Sequence, residues 1–120
     1  MSNQDLKQRT KRFALDTIEF FEALPKDETS RVLGRQPLRS GTSVGANYRA
    51  AKHSQSNADF INKMTIVEEE ADECGYWLEL FTESGKLSQQ KTAALLREAD
   101  ELVAIAVASI NTARKNGRKS

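Results

Sequence analysis

The chain has 120 residues, with 18 Lys and Arg against 17 Asp and Glu, one Cys and one His. That length buries one sizeable core and hardly two, and the near-balanced charge excludes a polyanion-binding tail that dominates the whole molecule. A lone Cys excludes an intramolecular disulfide framework, one Cys plus one His speaks against a zinc site, and two Pro and six scattered Gly exclude a low-complexity chain.

The first segment is expected to be helical from about 4 to 24. At about 100° per residue, Leu6, Phe13, Thr17, Phe20, Phe21 and Leu24 fall on one side. Lys7, Arg9, Lys11 and Arg12 break up the residues before Phe13, so no secretory signal is read there. No stretch of the chain reaches the ~20 apolar residues of a bilayer span. A cytoplasmic protein without membrane contact is expected, and the unpaired Cys74 agrees with a reducing compartment. Pro25 stops the helix, and Asp27 can cap the next one.

The second helix is expected over about 28–53, with Leu33, Pro37, Gly41, Val44, Tyr48 and Ala51 on one face. Pro37 should kink or loosen it. Gly41 and Gly45, four apart beside Ser40 and Ala46, predict a tight helix crossing. The third helix, about 57–83, starts on a capping-box-like Ser56-Asn57-Ala58-Asp59. Phe60, Met64, Val67, Ala71, Cys74, Leu78 and Phe81 then follow the alternating four-three spacing of a bundle seam. Gly85 is available for a left-handed cap.

The fourth helix, about 88–114, is capped at Ser88 and carries a broad apolar stripe from Leu95 to Ile110. The basic tail 115–120 should fray. No alternating β-branched run predicts a strand. Long helices joined by short connections make the expected fold all-α: a single domain over 1–120, an antiparallel up-down-up-down four-helix bundle.

Two surface features stand out. Helix three carries Ile66, Tyr76, Trp77 and Leu80 opposite its seam. A second apolar stripe implies a further contact, most simply with another copy of the chain; the alternative is that Trp77 and Tyr76 cover the bundle edge. Charge is segregated: residues 1–65 carry a basic excess, 66–101 an acidic one, and 102–120 only basic groups. Arg31, Arg35, Arg39, Arg49 and His53 share one arc of helix two. With Lys52 and the tail residues Arg114, Lys115, Arg118 and Lys119 they form a candidate phosphate track for RNA or DNA. The competing reading is a solvated face, or a partner for the acidic face of helix three.

Catalysis finds little support. The only histidine, His53, has no nucleophile-elbow context. Cys74 lies on the seam as a packing residue. No Glu-x-x-His occurs, and the glycines near Thr42 fail phosphate-loop spacing. No catalytic residue, metal ligand or cofactor is therefore expected, and the chain is read as non-enzymatic.

Several separated motifs resemble one family. Leu38-Arg39-Ser40-Gly41-Thr42-Ser43-Val44-Gly45-Ala46-Asn47-Tyr48-Arg49-Ala50-Ala51 is similar to helix two of the bacterial four-helix-bundle proteins, also called 23S rRNA intervening-sequence proteins. Ala58-Asp59-Phe60-Ile61-Asn62-Lys63-Met64, Glu69-Glu70-Ala71-Asp72-Glu73 and Tyr76-Trp77-Leu78-Glu79-Leu80 resemble the family's third helix. Phe13-Ala14 and Glu22-Ala23-Leu24-Pro25 resemble its first helix and turn, while helix four agrees only in pattern. Pro37 departs from the family pattern. The resemblance implies a left-handed antiparallel bundle and a ring-like homo-oligomer, a pentamer. It also implies, through the related accessory variability determinant proteins, a partnership with a reverse transcriptase and nucleic acid. The near-neutral charge here departs from that strongly basic branch. Within the motif, Asn47 is read as a helix–helix hydrogen-bonding residue and Tyr48 as core-edge packing. The rival to a nucleic-acid scaffold is a protein-interaction module whose charged faces pair between subunits or with a protein partner.

Overall fold

The computed structural model describes residues 3–87 and 89–119, with side chains described at 6–87, at Gln90 and from Thr92 to Gly117. Four helices follow in order: α1 (Asn3–Glu22), α2 (Glu28–Lys52), α3 (Asn57–Glu83) and α4 (Gln89–Lys119). Among the described residues there is no strand. Each helix packs on its successor, while α1 meets α4 only thinly. The short connections turn every helix back along the previous one. The result is the up-down-up-down four-helix bundle, 53 × 21 × 20 Å. The expected cap Ser88, and the side chains of Arg118 and Lys119, lie outside the described residues.

Local chemistry sets the helix ends. α1 stops at Glu22, ahead of Pro25. The Asp27 carboxylate then caps α2, accepting from Ser30 N at 2.9 Å and from Ser30 Oγ at 2.9 Å, with Lys86 Nζ 3.2 Å away. The backbone and side-chain bonds from Ser30, helped by Lys86, hold the Asp27 carboxyl down at about 2. Its folded value lies below the unfolded reference of 3.8. The cap therefore contributes fully above about pH 4, and that contribution is lost as pH falls through about 2. Thermal unfolding followed by circular dichroism is expected to show this acid loss. In Asp27→Asn, which still caps but does not titrate, the loss over that window should shrink; an unchanged acid limb would remove Asp27 as its source. Ser56 Oγ caps α3 by accepting from Asp59 N at 3.1 Å, and Gly85 takes the left-handed conformation after it, at φ 76°.

The core is built from the predicted stripes. Phe13, Val44, Met64, Leu78, Phe81 and Leu102 are fully buried. Phe20 and Phe81 meet edge to face at 5.4 Å across the bundle. Two buried hydroxyls are satisfied within their own helices: Thr17 Oγ1 donates to Ala14 O at 2.7 Å, and Ser40 Oγ to Gln36 O at 2.8 Å. The predicted tight crossing is present between α1 and α2. A Cβ added at Gly41 would lie 2.4 Å from Thr17 Cγ2, and one at Gly45 would lie 3.3 Å from the carbonyl oxygen of Thr10.

Gly75 behaves differently. It is buried in α3, yet a Cβ there would meet only Ala99 Cβ, at 3.9 Å, an ordinary contact. Helix propensity then decides the sign, since Gly in a helix interior costs roughly 0.5–1 kcal/mol relative to Ala. Gly75→Ala is expected to stabilise the bundle by about that amount in a denaturant titration. A loss of stability would show that the α3–α4 contact is tighter than this spacing allows.

Two expectations are corrected, the end of α4 and the partner of Asn47. α4 runs on to Lys119, beyond the expected end at 114. Its last turns are held because Ala113 is buried and Asn57 Nδ2, at the start of α3, donates to Ala113 O at 2.8 Å. α2 continues through Pro37 as one helix; the proline is buried, and its carbonyl oxygen accepts from Cys74 Sγ at 3.7 Å, tying it to α3. Among the described residues Asn47 does not bridge helices. Its Nδ2 donates to Ser43 O and to Ser43 Oγ, both at 2.9 Å, one turn back in α2.

Candidate nucleic-acid interface

The residues read as a phosphate track do not form one continuous surface. Arg31 sits at the start of α2 against the Pro25 turn, in a small hollow with Phe21 and Lys26. Arg49 lies 18 residues further along the helix, roughly 27 Å away at 1.5 Å per residue. Arg35 is exposed between them. Arg39 is engaged: its guanidinium donates to Glu70 Oε2 at 3.1 Å and to Glu73 of α3. The hydrogen bond to Glu73 raises the Arg39 pKa. Glu73 also accepts from Trp77 Nε1 at 3.3 Å, so one carboxylate ties together an α2 arginine and an α3 indole.

The fold instead concentrates positive charge at one end. In an antiparallel bundle the start of α1 lies beside the ends of α2 and α4. A cleft of about 440 Å³ opens there between α1 and α2. Thr10, Ala14, Thr42, Gly45 and Ala46 form its small-residue lining, and Lys7, Lys11, Arg49, Lys52 and His53 stand around them. Gly45 makes the cleft possible, because it brings the α2 backbone against the Thr10 carbonyl. Arg49 and Lys52 lie in the last turn of α2, where cations complement the exposed carbonyls. Among the described residues, Lys7, Lys11, Arg49 and Lys52 have no carboxylate within salt-bridge distance. Arg9, on the other flank of α1, contrasts with them: its Nε donates to Glu98 Oε2 of α4 at 2.9 Å. Arg114 and Lys115 are exposed near the C-terminus of α4, at the same end of the bundle.

Sequence reasoning named Arg49 and Lys52 in the candidate track and did not single out Lys7 and Lys11. These two stand one turn apart, on the flank of α1 that turns toward α2. The signal lay in topology: only when α1 is laid antiparallel to α2 do residues 7 and 11 reach residues 49 and 52. Tyr48, read as core-edge packing, is buried beneath the cleft, and burial raises its phenol pKa above the usual 10. Of the second stripe of α3, Ile66 and Tyr76 are exposed, Tyr76 at 53%, while Trp77 and Leu80 are half-buried. Tyr76 and Trp77 pack edge to face at 5.1 Å.

Elsewhere the chemistry is structural. Cys74 is buried, and desolvation pushes its thiol up to about 12. Among the described residues no group of three or more His, Cys, Asp or Glu is placed to hold a metal ion. No described helix is long and apolar enough to cross a membrane.

Fold and cleft together define an antiparallel four-helix bundle with a cationic end. The chain belongs to the 23S rRNA-intervening sequence protein family, whose model matches residues 2–108. A crystal structure of a protein of unknown function from the S23 ribosomal protein family of Bacteroides thetaiotaomicron VPI-5482 is similar to it. That protein shares 35% sequence identity at a TM-score of 0.81, over 87% of this chain and 96% of that one. No curated protein matches the chain.

Proposed function

We propose that this protein is a cytoplasmic, non-enzymatic homo-oligomeric scaffold that binds nucleic acid weakly through the cationic end of the bundle. One observation carries the reading: Lys7, Lys11, Arg49 and Lys52 converge on a single cleft without a carboxylate partner among the described residues. Cations held together this way repel one another unless an anion joins them, and a phosphate backbone supplies a row of anions. Assembly through the exposed α3 face around Ile66 and Tyr76 would repeat the cleft, and a pentamer would multiply a weak site by its copy number.

The test is a fluorescence-anisotropy titration with a structured RNA and a duplex DNA at low and moderate salt, with mass by light scattering on the same sample. If about four phosphates are neutralised, affinity should fall roughly 50-fold or more between 50 and 200 mM salt. Absence of binding at low salt by an intact oligomer rejects the reading. A monomeric mass rejects the scaffold.

The Arg39 bonds to Glu70 and Glu73 favour a second reading, in which acidic and basic blocks serve protein contacts. It predicts that charge reversal in α2 dissolves the oligomer before it alters nucleic-acid binding.

A further inference from the structure

A second cavity adjoins the cationic cleft. It measures about 430 Å³ and shares Tyr48 and Lys52 with its neighbour. Its character differs. Phe60 stands in its wall, half-buried, with Ser54, Asn57 and Ser109 around it. The buried hydroxyl of Ser54 has no hydrogen-bond partner among the described residues, although buried hydroxyls are ordinarily paired. The end of the bundle thus sets four cations beside an aromatic, hydroxyl-lined pocket. An electropositive groove with an adjacent aromatic platform is what a single strand needs: phosphates to the cations, an unstacked base to the ring.

We propose that the cationic end holds a single strand of nucleic acid rather than a duplex. The strand's phosphates lie in the α1–α2 cleft, and one unpaired base enters the Phe60 pocket. The proposal rests on the nucleic-acid reading above and adds the form of the ligand and the second half of its site. Geometry supports the choice. The α1–α2 cleft, about 440 Å³, is a small surface groove over two packed helices, which suits the backbone of one strand. A duplex keeps its bases stacked and offers only their edges and its phosphates, so no base ring of a duplex enters the pocket.

The experiment compares a labelled oligouridine of about 12 nucleotides, within the usual range of strand-binding sites, with an RNA duplex of the same length at low salt. The strand should bind at least about tenfold more tightly. Lys7→Glu with Lys52→Glu should weaken strand binding at least about tenfold, while Lys26→Glu with Arg97→Glu, the same charge change near the other end, should leave it within about twofold. Phe60→Leu keeps an apolar filler against the core and removes the stacking face; measured well below the variant's melting temperature, it should lower strand affinity about fivefold or more. Equal or tighter duplex binding overturns this proposal and leaves the nucleic-acid reading standing. So does full strand affinity in Phe60→Leu. Absence of binding to either probe overturns both.

Discussion

Gly41→Ala is expected to destabilise the bundle by about 2 kcal/mol, although the same change would favour an isolated helix by about 1 kcal/mol. The new Cβ would lie 2.4 Å from Thr17 Cγ2, 2.9 Å from its Oγ1 and 3.0 Å from its Cβ. Thr17 cannot turn aside cheaply: it is β-branched, fully buried and bonded through Oγ1 to Ala14 O. α1 and α2 must therefore separate, which loosens the Gly45–Thr10 contact that forms the cationic cleft. Gly34→Ala is the control. Its Cβ would lie 3.2 Å from Phe21 Cδ1 and 2.3 Å from Leu24 Cδ1, the far end of a flexible side chain just past α1. That atom can move, so the change should cost about 0.5 kcal/mol or less. Chemical denaturation measures both. A second check is Thr17→Ala, which removes the two closest atoms and should recover about 1 kcal/mol in the Gly41→Ala background. Equal effects of Gly34→Ala and Gly41→Ala would mean that the crossing is not what sets the cost.

The fold was legible because its signals are local and repeated. The alternating stripe from Phe60 to Phe81, the Pro25 stop and the Asp27 cap each act within one or two turns, and all agree. The small-residue spacing at Gly41 and Gly45 also foretold the close crossing, since only a missing side chain admits another helix so near. What escaped the sequence depends on partners far along the chain. The tail stays helical because Asn57 bonds Ala113, 56 residues away, and no local signal carries that bond. Asn47 failed for the opposite reason: Ser43, one turn back, satisfies its amide before any neighbouring helix can. The candidate site was half legible. An arc of arginines on α2 was visible, but the fold divides it, ties Arg39 to α3 and gives Arg49 two lysines from α1 as neighbours. Charge periodicity finds a face of one helix; a cleft needs the relative placement of two.

Cys74 offers a way to watch that packing fail. Its side chain is wholly buried on the α2–α3 seam, with Sγ 3.7 Å from Pro37 O. Burial pushes its thiol up to about 12, so at pH 8 the folded protein holds almost no thiolate at Cys74. Modification by an aromatic disulfide reagent is therefore expected to be at least about 10³-fold slower in the native protein than in urea, because it must wait for unfolding that costs about 5 kcal/mol or more. The rate then becomes a stability readout. If opening is global, the 2 kcal/mol lost in Gly41→Ala should speed labelling roughly 30-fold, although Gly41 touches α1 and Cys74 lies in α3. The alternative is a local opening at Pro37, where α2 lacks one backbone hydrogen bond and is held partly by Cys74 itself. Local opening predicts fast native labelling that Gly41→Ala leaves unchanged. Ser40, next to Gly41, also lies against Cys74, so the decisive mark of global opening is a labelling rise that matches the measured loss of unfolding free energy.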